Sequence, residues 1–189
     1  MVHYDSYTIM RDDVYLKKDF LSKADFNLIK GWVSNNYVGK IRGRHKVELS
    51  KVKEINNPLK ILFLKVIKDL INESDKNITF EWWINFNAKQ NWHIDKDEDA
   101  YITDQIFVSP YRSIIFYVKK PQEGGEIELI RTLASEKKML FEKYDCLENQ
   151  ILSFNSSIPH RVCSYDGQRI SIAINIWKQI SCWHSTHPC

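Results

Sequence analysis

The sequence predicts a mostly β fold, a sandwich or barrel of short strands with two amphipathic helices packed outside it. Three observations carry this. Aromatic residues make up 13% of the 189-residue chain, and β-branched runs are frequent, which favours a sheet-built interior over a helical bundle. Near Ile78 the hydrophobic period changes from about 3.6 residues to about 2. Beyond that point the chain breaks into short apolar runs punctuated by turn residues. Its length, with 43% hydrophobic and 27% charged residues, suits one domain that buries its own core.

The first 77 residues read as a support region. Tyr7 to Leu16 can form a strand. Ser22 then caps a helix over Lys23 to Val33, with Asp25 at its third position and Phe26, Ile29 and Trp32 on the buried face. A second helix starts where Asn57 caps and Pro58 takes the first turn. Leu59, Leu62, Phe63, Val66, Ile67 and Leu70 recur at helical spacing, with Lys60, Lys68 and Asp69 opposite. The core, residues 78–180, predicts strands at Ile78 to Asn87, Ser113 to Lys119, Gly125 to Arg131, Gln150 to Phe154, Arg161 to Tyr165 and Arg169 to Trp177. Gly124-Gly125 and Asp166-Gly167 mark the clearest turns. The tail, 181–189, carries Cys182, His184, His187 and Cys189, packed closer than common structural zinc spacings and read as a terminal segment.

A formal charge of +3, with lysines alternating with acids, calls for neither a nucleic-acid nor a membrane partner. One basic stretch, Lys40, Arg42, Arg44, His45 and Lys46, could face an anionic substrate or lie solvated. No apolar run approaches the ~20 residues that span a bilayer, and the N-terminus lacks a secretory apolar region. A cytoplasmic protein is expected. The four cysteines, 146, 163, 182 and 189, are too sparse for a disulfide framework and fit a reducing compartment.

The chemistry gathers at His93 and Asp95 in NWHIDKDE, His160 in SSIPHRV, and Arg169 with Ser171 in GQRIS. In an extended segment residues two apart point to one side, so His93 and Asp95 can offer an imidazole and a carboxylate to one metal. A His-x-Asp alone is commonplace, and a hydrogen-bonded surface pair is its ordinary meaning. With His160 as third ligand, however, two His and one carboxylate leave coordination positions open, a geometry suited to non-haem Fe(II). The last strand puts Arg169, Ser171, Ala173, Asn175 and Trp177 on one face and Ile170, Ile172, Ile174 and Ile176 on the other. An inward guanidinium demands a matching anion, and a carboxylate is its best partner.

At these residues the chain resembles the 2-oxoglutarate and Fe(II)-dependent dioxygenases, particularly the prolyl 4-hydroxylase branch, over roughly Ile78 to Lys178. The family order of His-x-Asp, distal His and Arg is met by His93, Asp95, His160 and Arg169, the last two nine residues apart. SIIFYVKK resembles the strand whose Tyr, here Tyr117, hydrogen-bonds the co-substrate. By alternation Tyr117 shares a face with Ser113 and Ile115. An aromatic wall residue is the plainer reading of it. The resemblance implies a double-stranded β-helix, a jelly-roll or cupin-like barrel, forming a single oxygenase domain over 1–189.

It further implies Fe(II) on His93, Asp95 and His160, and 2-oxoglutarate chelating the metal with its far carboxylate on Arg169 and on the hydroxyl of Ser171 or Tyr117. O2 is the other co-substrate, and ascorbate a further expected cofactor. Relatives that halogenate lack the ligand carboxylate, so Asp95 argues for hydroxylation, although desaturation or cyclisation would use the same ligands. The expected substrate is an amino-acid side chain, free or in a peptide, or else a small molecule. Trp92 and Asn85, with Glu81 and Trp83 inward beside it, are candidate wall residues, and KDEDAYITDQIF a candidate substrate loop. Two rivals stand. A nucleic-acid demethylase typically carries a second Arg six positions after the first, where this chain has Asn175; a non-catalytic cupin-like binder usually draws three His from a different spacing.

Overall fold

The structure, a computed structural model, describes residues 8–10, 13–37, 43–71, 77–133 and 138–178. The tail ligands Cys182, His184, His187 and Cys189, and Lys40 and Arg42 of the basic stretch, lie outside the described residues.

The chain opens with β1 (Thr8–Met10) and β2 (Val14–Lys17), paired antiparallel so that Thr8 faces Lys17. The single strand expected over Tyr7 to Leu16 is therefore two, and the apolar pattern is interrupted in the sequence by Arg11, Asp12 and Asp13. Helix α1 (Lys23–Tyr37) begins at Ser22, whose Oγ accepts from Asp25 N at 3.2 Å and donates to Asp25 Oδ2 at 2.7 Å, a reciprocal cap. It buries Phe26, Ile29 and Val33, while Trp32 is only half-buried because the stripe turns past it.

Strand β3 (His45–Glu48) and a 3-10 turn lead to α2 (Leu59–Leu70), where Leu59 N donates to Asn57 Oδ1 at 3.0 Å as the sequence predicts. Leu59, Leu62, Phe63 and Val66 are completely buried, each worth about 2 kcal/mol of apolar transfer. No helix of the described residues is long and apolar enough to cross a membrane.

Next come β4 (Ile78–Phe86), the short α3 (Glu98–Asp104), β5 (Arg112–Lys119), β6 (Glu123–Gly124), β7 (Ile127–Leu133), β8 (Lys138–Tyr144), β9 (Ile151–Phe154), β10 (His160–Val162), β11 (Tyr165–Asp166) and β12 (Ile170–Lys178). Seven strands form one sheet in the order β1-β2-β9-β5-β12-β4-β3. A second sheet runs β10-β7-β8, and β11 pairs with β6.

β12 sits between β4 and β5 and divides the core. Its Ile170, Ile172, Ile174 and Ile176 pack with Ile29, Leu62, Phe63 and the rest of the helix stripes on the outer face. The inner face looks at the second sheet, where Tyr117, Leu152 and Phe154 meet Ile127, Leu129 and Val162. The alternation predicted for β12 therefore holds: apolar residues face the helices and polar or small ones face the barrel interior.

Gly124, in the turn that places β6, has φ +69°, and a Cβ there would collide with the Ser164 carbonyl. Gly124→Ala is expected to cost about 2–3 kcal/mol through that left-handed strain and the displaced backbone. For a chain of this length that lowers Tm by roughly 5–10 °C in a thermal unfolding experiment.

Candidate active site

The loop after β4 returns to lie beside β10, and there His93 and His160 exchange both backbone hydrogen bonds, N to O at 3.0 and 2.9 Å. Residues opposed in this way present their side chains to the same side of the sheet. The two imidazole centroids are 4.2 Å apart, and Asp95, two residues further along, joins them. Its Oδ1 is 3.9 Å from His93 Nε2 and its Oδ2 3.8 Å from His160 Nε2, with all three ligand atoms within 4.8 Å of one another.

The hydrogen bonds behind the rings decide their tautomers. His93 Nδ1 lies 2.7 Å from Asn91 O and His160 Nδ1 3.0 Å from Ile158 O. A carbonyl can only accept, so Nδ1 carries the proton and the Nε2 lone pair is left for a metal. Burial holds the His160 imidazole below its ordinary pKa, against the pull of Asp95, and so keeps the ligand form. His160 is delivered by a turn in which Asn155 Oδ1 accepts from Ser157 N at 3.0 Å and Ser157 Oγ at 2.8 Å.

Asp95 has a partner that sequence reasoning misses. Ser113 Oγ donates to Asp95 Oδ2 at 2.5 Å and lies 2.9 Å from Ser156 Oγ, both serines being buried. Ser113 has one hydroxyl proton and an ionised carboxylate only accepts; that proton therefore goes to Asp95, and Ser156 supplies its own to Ser113. The signal is present in part, because alternation places Ser113 on the Tyr117 face, but the partner lies 18 residues away in a loop. Ser113→Ala is expected to weaken divalent-metal binding about 10–100-fold with little change in fold, as measured by Co(II) or Mn(II) titration.

Arg169, 2% exposed, lines the same cavity. Its backbone is clamped to Asn87, Arg169 N donating to Asn87 Oδ1 and Asn87 N to Arg169 O, each at 2.9 Å. Its Nε donates to Gly125 O at 3.1 Å and its Nη1 to Ser171 Oγ at 3.3 Å. Gly125 has to be glycine, since a Cβ would stand 2.8 Å from Pro121 Cγ and 3.2 Å from Arg169 Cδ. A register shift at Ile170/Ser171 sets Tyr117 opposite Ser171, and the guanidinium carbon lies 5.3 Å from the Tyr117 ring centre.

Among the described residues, Arg169 Nη2 and the Tyr117 hydroxyl are buried without a hydrogen-bond partner. Among the described residues no carboxylate pairs with Arg169. A buried cation with an idle N–H beside an idle phenol is costly unless an anion with acceptor oxygens fills the gap. Burial pushes the Tyr117 phenol above its ordinary range, against the opposing charge of Arg169, so it stays a donor. The nearby Cys146 thiol is likewise pushed up by burial, to about 11, and remains protonated.

No family model and no curated protein sequence matches the chain. Solved structures do. A Pseudomonas putida prolyl-4-hydroxylase aligns at TM-score 0.59 and 14% identity, over 89% of this chain and 94% of that one. The viral collagen prolyl hydroxylase of Paramecium bursaria Chlorella virus-1, in a 2-oxoglutarate complex, gives 0.55 and 12%, over 89% and 97%. HygX from Streptomyces hygroscopicus, with nickel and 2-oxoglutarate bound, gives 0.56 and 10%, over 89% and 83%. The fold is a double-stranded β-helix like that of these structures.

Within the double-stranded β-helix, His93, Asp95, His160, Arg169 and Ser171 all line one cavity, with Tyr117 bordering the guanidinium. Asn85 lines it as expected. Trp92 does not; it lies outside the barrel, with Arg161 stacked on it at 4.7 Å and Phe141 at 6.1 Å, and borders a shallow groove beside His93. The expected substrate loop contains α3, capped by Asp97 Oδ1 accepting from Ala100 N at 3.0 Å. The described part of the basic stretch is built into the sheet edge: Arg44 stands 3.8 Å from Glu81 and 5.3 Å from the Trp83 ring, while His45 stacks on Trp82 at 4.4 Å.

Proposed function

We propose that the chain is a single-domain, non-haem Fe(II)/2-oxoglutarate-dependent dioxygenase that hydroxylates an unactivated C–H of an amino-acid side chain, releasing succinate and CO2. The observation that carries this reading is the coincidence, in one cavity, of a two-His-one-carboxylate cluster with a buried guanidinium that keeps a spare N–H among the described residues and lies against the Tyr117 ring. Alone, the cluster would fit a purely structural metal, and the guanidinium would fit any small anion. Together they fit a metal and a co-substrate with one chelating end and one far carboxylate.

His93, Asp95 and His160 would hold the iron through two Nε2 atoms and a carboxylate oxygen. Iron with 2-oxoglutarate and O2 supplies, when bound, the oxidising power to break a C–H bond, with ascorbate as the reductant that keeps the metal ferrous. Ser113 and Ser156 fix the carboxylate of Asp95, and the Asn91 and Ile158 carbonyls fix the rings. Arg169, Tyr117 and Ser171 bind and orient the far carboxylate, and the apolar walls from Ile115, Ile127 and Phe154 exclude water around it. Two of the structural neighbours hold 2-oxoglutarate, which supports a co-substrate of that kind here.

The test is succinate release from 2-oxoglutarate in the presence of Fe(II), ascorbate and a panel of amino acids, peptides and small molecules. Release that needs iron and disappears in Asp95→Ala supports the reading. A folded, metal-loaded protein that releases none above the Asp95→Ala background contradicts it.

A further inference from the structure

The oxygenase reading engages the metal ligands and the Arg169 end of the inner face, and leaves one buried carboxylate unused. Glu81, on β4, is 5% exposed. Trp83, two residues along, and Asn175, opposite Glu81 on β12, both line the cavity. Asn175 is in turn opposed to Ser113 on β5, whose hydroxyl holds Asp95. With strands about 4.8 Å apart, Glu81 stands roughly 10 Å across the sheet from that serine.

Glu81 is not compensated as a structural carboxylate would be. Among the described residues it accepts one hydrogen bond, from Trp177 Nε1 at 3.2 Å. The Arg44 guanidinium stays 3.8 Å away, beyond hydrogen-bond reach, on a side chain that is 53% exposed. Glu128, at 6% exposure, shows the contrast: Arg161 reaches it through Nε at 2.6 Å and Nη2 at 2.5 Å, with Lys143 Nζ at 4.0 Å. An ionised carboxylate offers about four acceptor positions, and burying it with most of them idle is costly unless a donor reaches it.

A cation stands idle beside it. Lys46 is opposed to Glu81 in the β3–β4 register. It shares the inner face with Glu81, because its neighbours point the other way: His45 stacks on Trp82 and Val47 packs against the outer core. Opposite charges directly opposed in a sheet commonly pair. Here no ion pair joins the two among the described residues, and Lys46 is exposed. A lone cation entering at Glu81 would meet Lys46 and Arg44, and a lone anion entering at Lys46 would meet Glu81. A zwitterion satisfies both, its ammonium on Glu81 and its carboxylate on Lys46. Trp83, which lines the cavity, offers an apolar wall to the side chain that leads away from them.

We propose that Glu81 and Lys46 form a receptor for the α-ammonium and α-carboxylate of a free amino acid, which makes Glu81 a specificity-determining residue. The span from Glu81 toward the metal selects a long side chain, whose far carbons are the ones presented for oxidation. This rests on the oxygenase reading above.

The test loads the protein with Mn(II) and 2-oxoglutarate and follows line broadening of small probes by NMR. The probes are L-leucine, L-methionine, L-glutamine, L-lysine and L-arginine, each also as its N-acetyl and its α-carboxamide derivative. Saturation by 2-oxoglutarate is measured first, and its failure in the wild type speaks against the oxygenase reading itself. With co-substrate bound, at least one free amino acid is expected to bind, and both of its derivatives at least tenfold more weakly. Glu81→Gln should erase the advantage over the N-acetyl form, and Lys46→Gln the advantage over the carboxamide, each variant being checked by thermal unfolding. Lys46 is exposed, so its variant tests the receptor even should Glu81→Gln fail to fold. The proposal is overturned if none of these free amino acids binds, if either derivative binds as tightly as its parent, or if a folded variant keeps the wild-type preference.

Discussion

Arg169→Ala is expected to raise the 2-oxoglutarate concentration for half-saturation by about a hundredfold or more. Removing one member of a buried charge pair costs on the order of 2–5 kcal/mol, because the other charge is left in the cavity without its partner. Arg169 is 2% exposed, its Nε is spent on Gly125 and its Nη1 on Ser171, and its Nη2 has no hydrogen-bond partner among the described residues. Arg169→Lys should fall between wild type and alanine, since it keeps the charge and loses the planar fork. The readout is thermal shift. A ligand at a hundred times its Kd stabilises the native state by about 2.7 kcal/mol, so wild-type Tm should rise with 2-oxoglutarate while that of Arg169→Ala stays flat. An equal rise in both would contradict the assignment of this pocket.

Asp95→Ala should abolish tight metal binding, by at least a hundredfold for Fe(II) or Co(II). Asp95 is the one carboxylate of the cluster, and its two oxygens are what approach both imidazoles, at 3.9 and 3.8 Å. Its loss also leaves the buried Ser113 hydroxyl without its acceptor. Asp95→Asn keeps the shape but not the charge, and should lose most of the affinity as well, because a hard divalent cation prefers an anionic oxygen. Anaerobic titration with Co(II), followed by its visible spectrum, measures both. Retention of wild-type affinity in Asp95→Asn would mean that the carboxylate is not a ligand.

Much of the fold is legible in the sequence wherever one face of an element is buried and the other is not. α2 and β12 are the clearest cases: their apolar residues recur at 3.6 and 2, and those residues form the outer core. β8 escapes a periodicity reading because it lacks that contrast. Among the described residues it pairs with β7 alone, and its outward face carries Met139 and Phe141, 61% and 57% exposed, while the inward face carries Leu140 and the buried Tyr144, so apolar residues fall on both faces. α3 reads as loop because seven residues are too few to show a period, although Asp97 followed by Glu98 and Asp99 is a fair helix start.

At the site, His93, Asp95, His160 and Arg169 can be singled out because their types and order are unusual together. That Tyr117 and Arg169 each keep an unpartnered atom is invisible in the sequence, because it depends on a register shift at Ile170/Ser171 and on a glycine approach at Gly125. The Ser113–Asp95 contact depends equally on how a loop closes over β5. Sequence periodicity shows which way a side chain points within its own element, and leaves open what another element brings to meet it.

The most direct test of the oxygenase reading needs no substrate. Fe(II) and then 2-oxoglutarate are added to the protein without oxygen, and the visible spectrum is followed for the weak charge-transfer band of an iron-chelated keto acid. The band should appear in the wild type, vanish with His93→Ala, and require far more 2-oxoglutarate with Arg169→Ala. A folded, iron-loaded wild type that forms no band at saturating 2-oxoglutarate would contradict the central claim that this cavity holds iron and 2-oxoglutarate together.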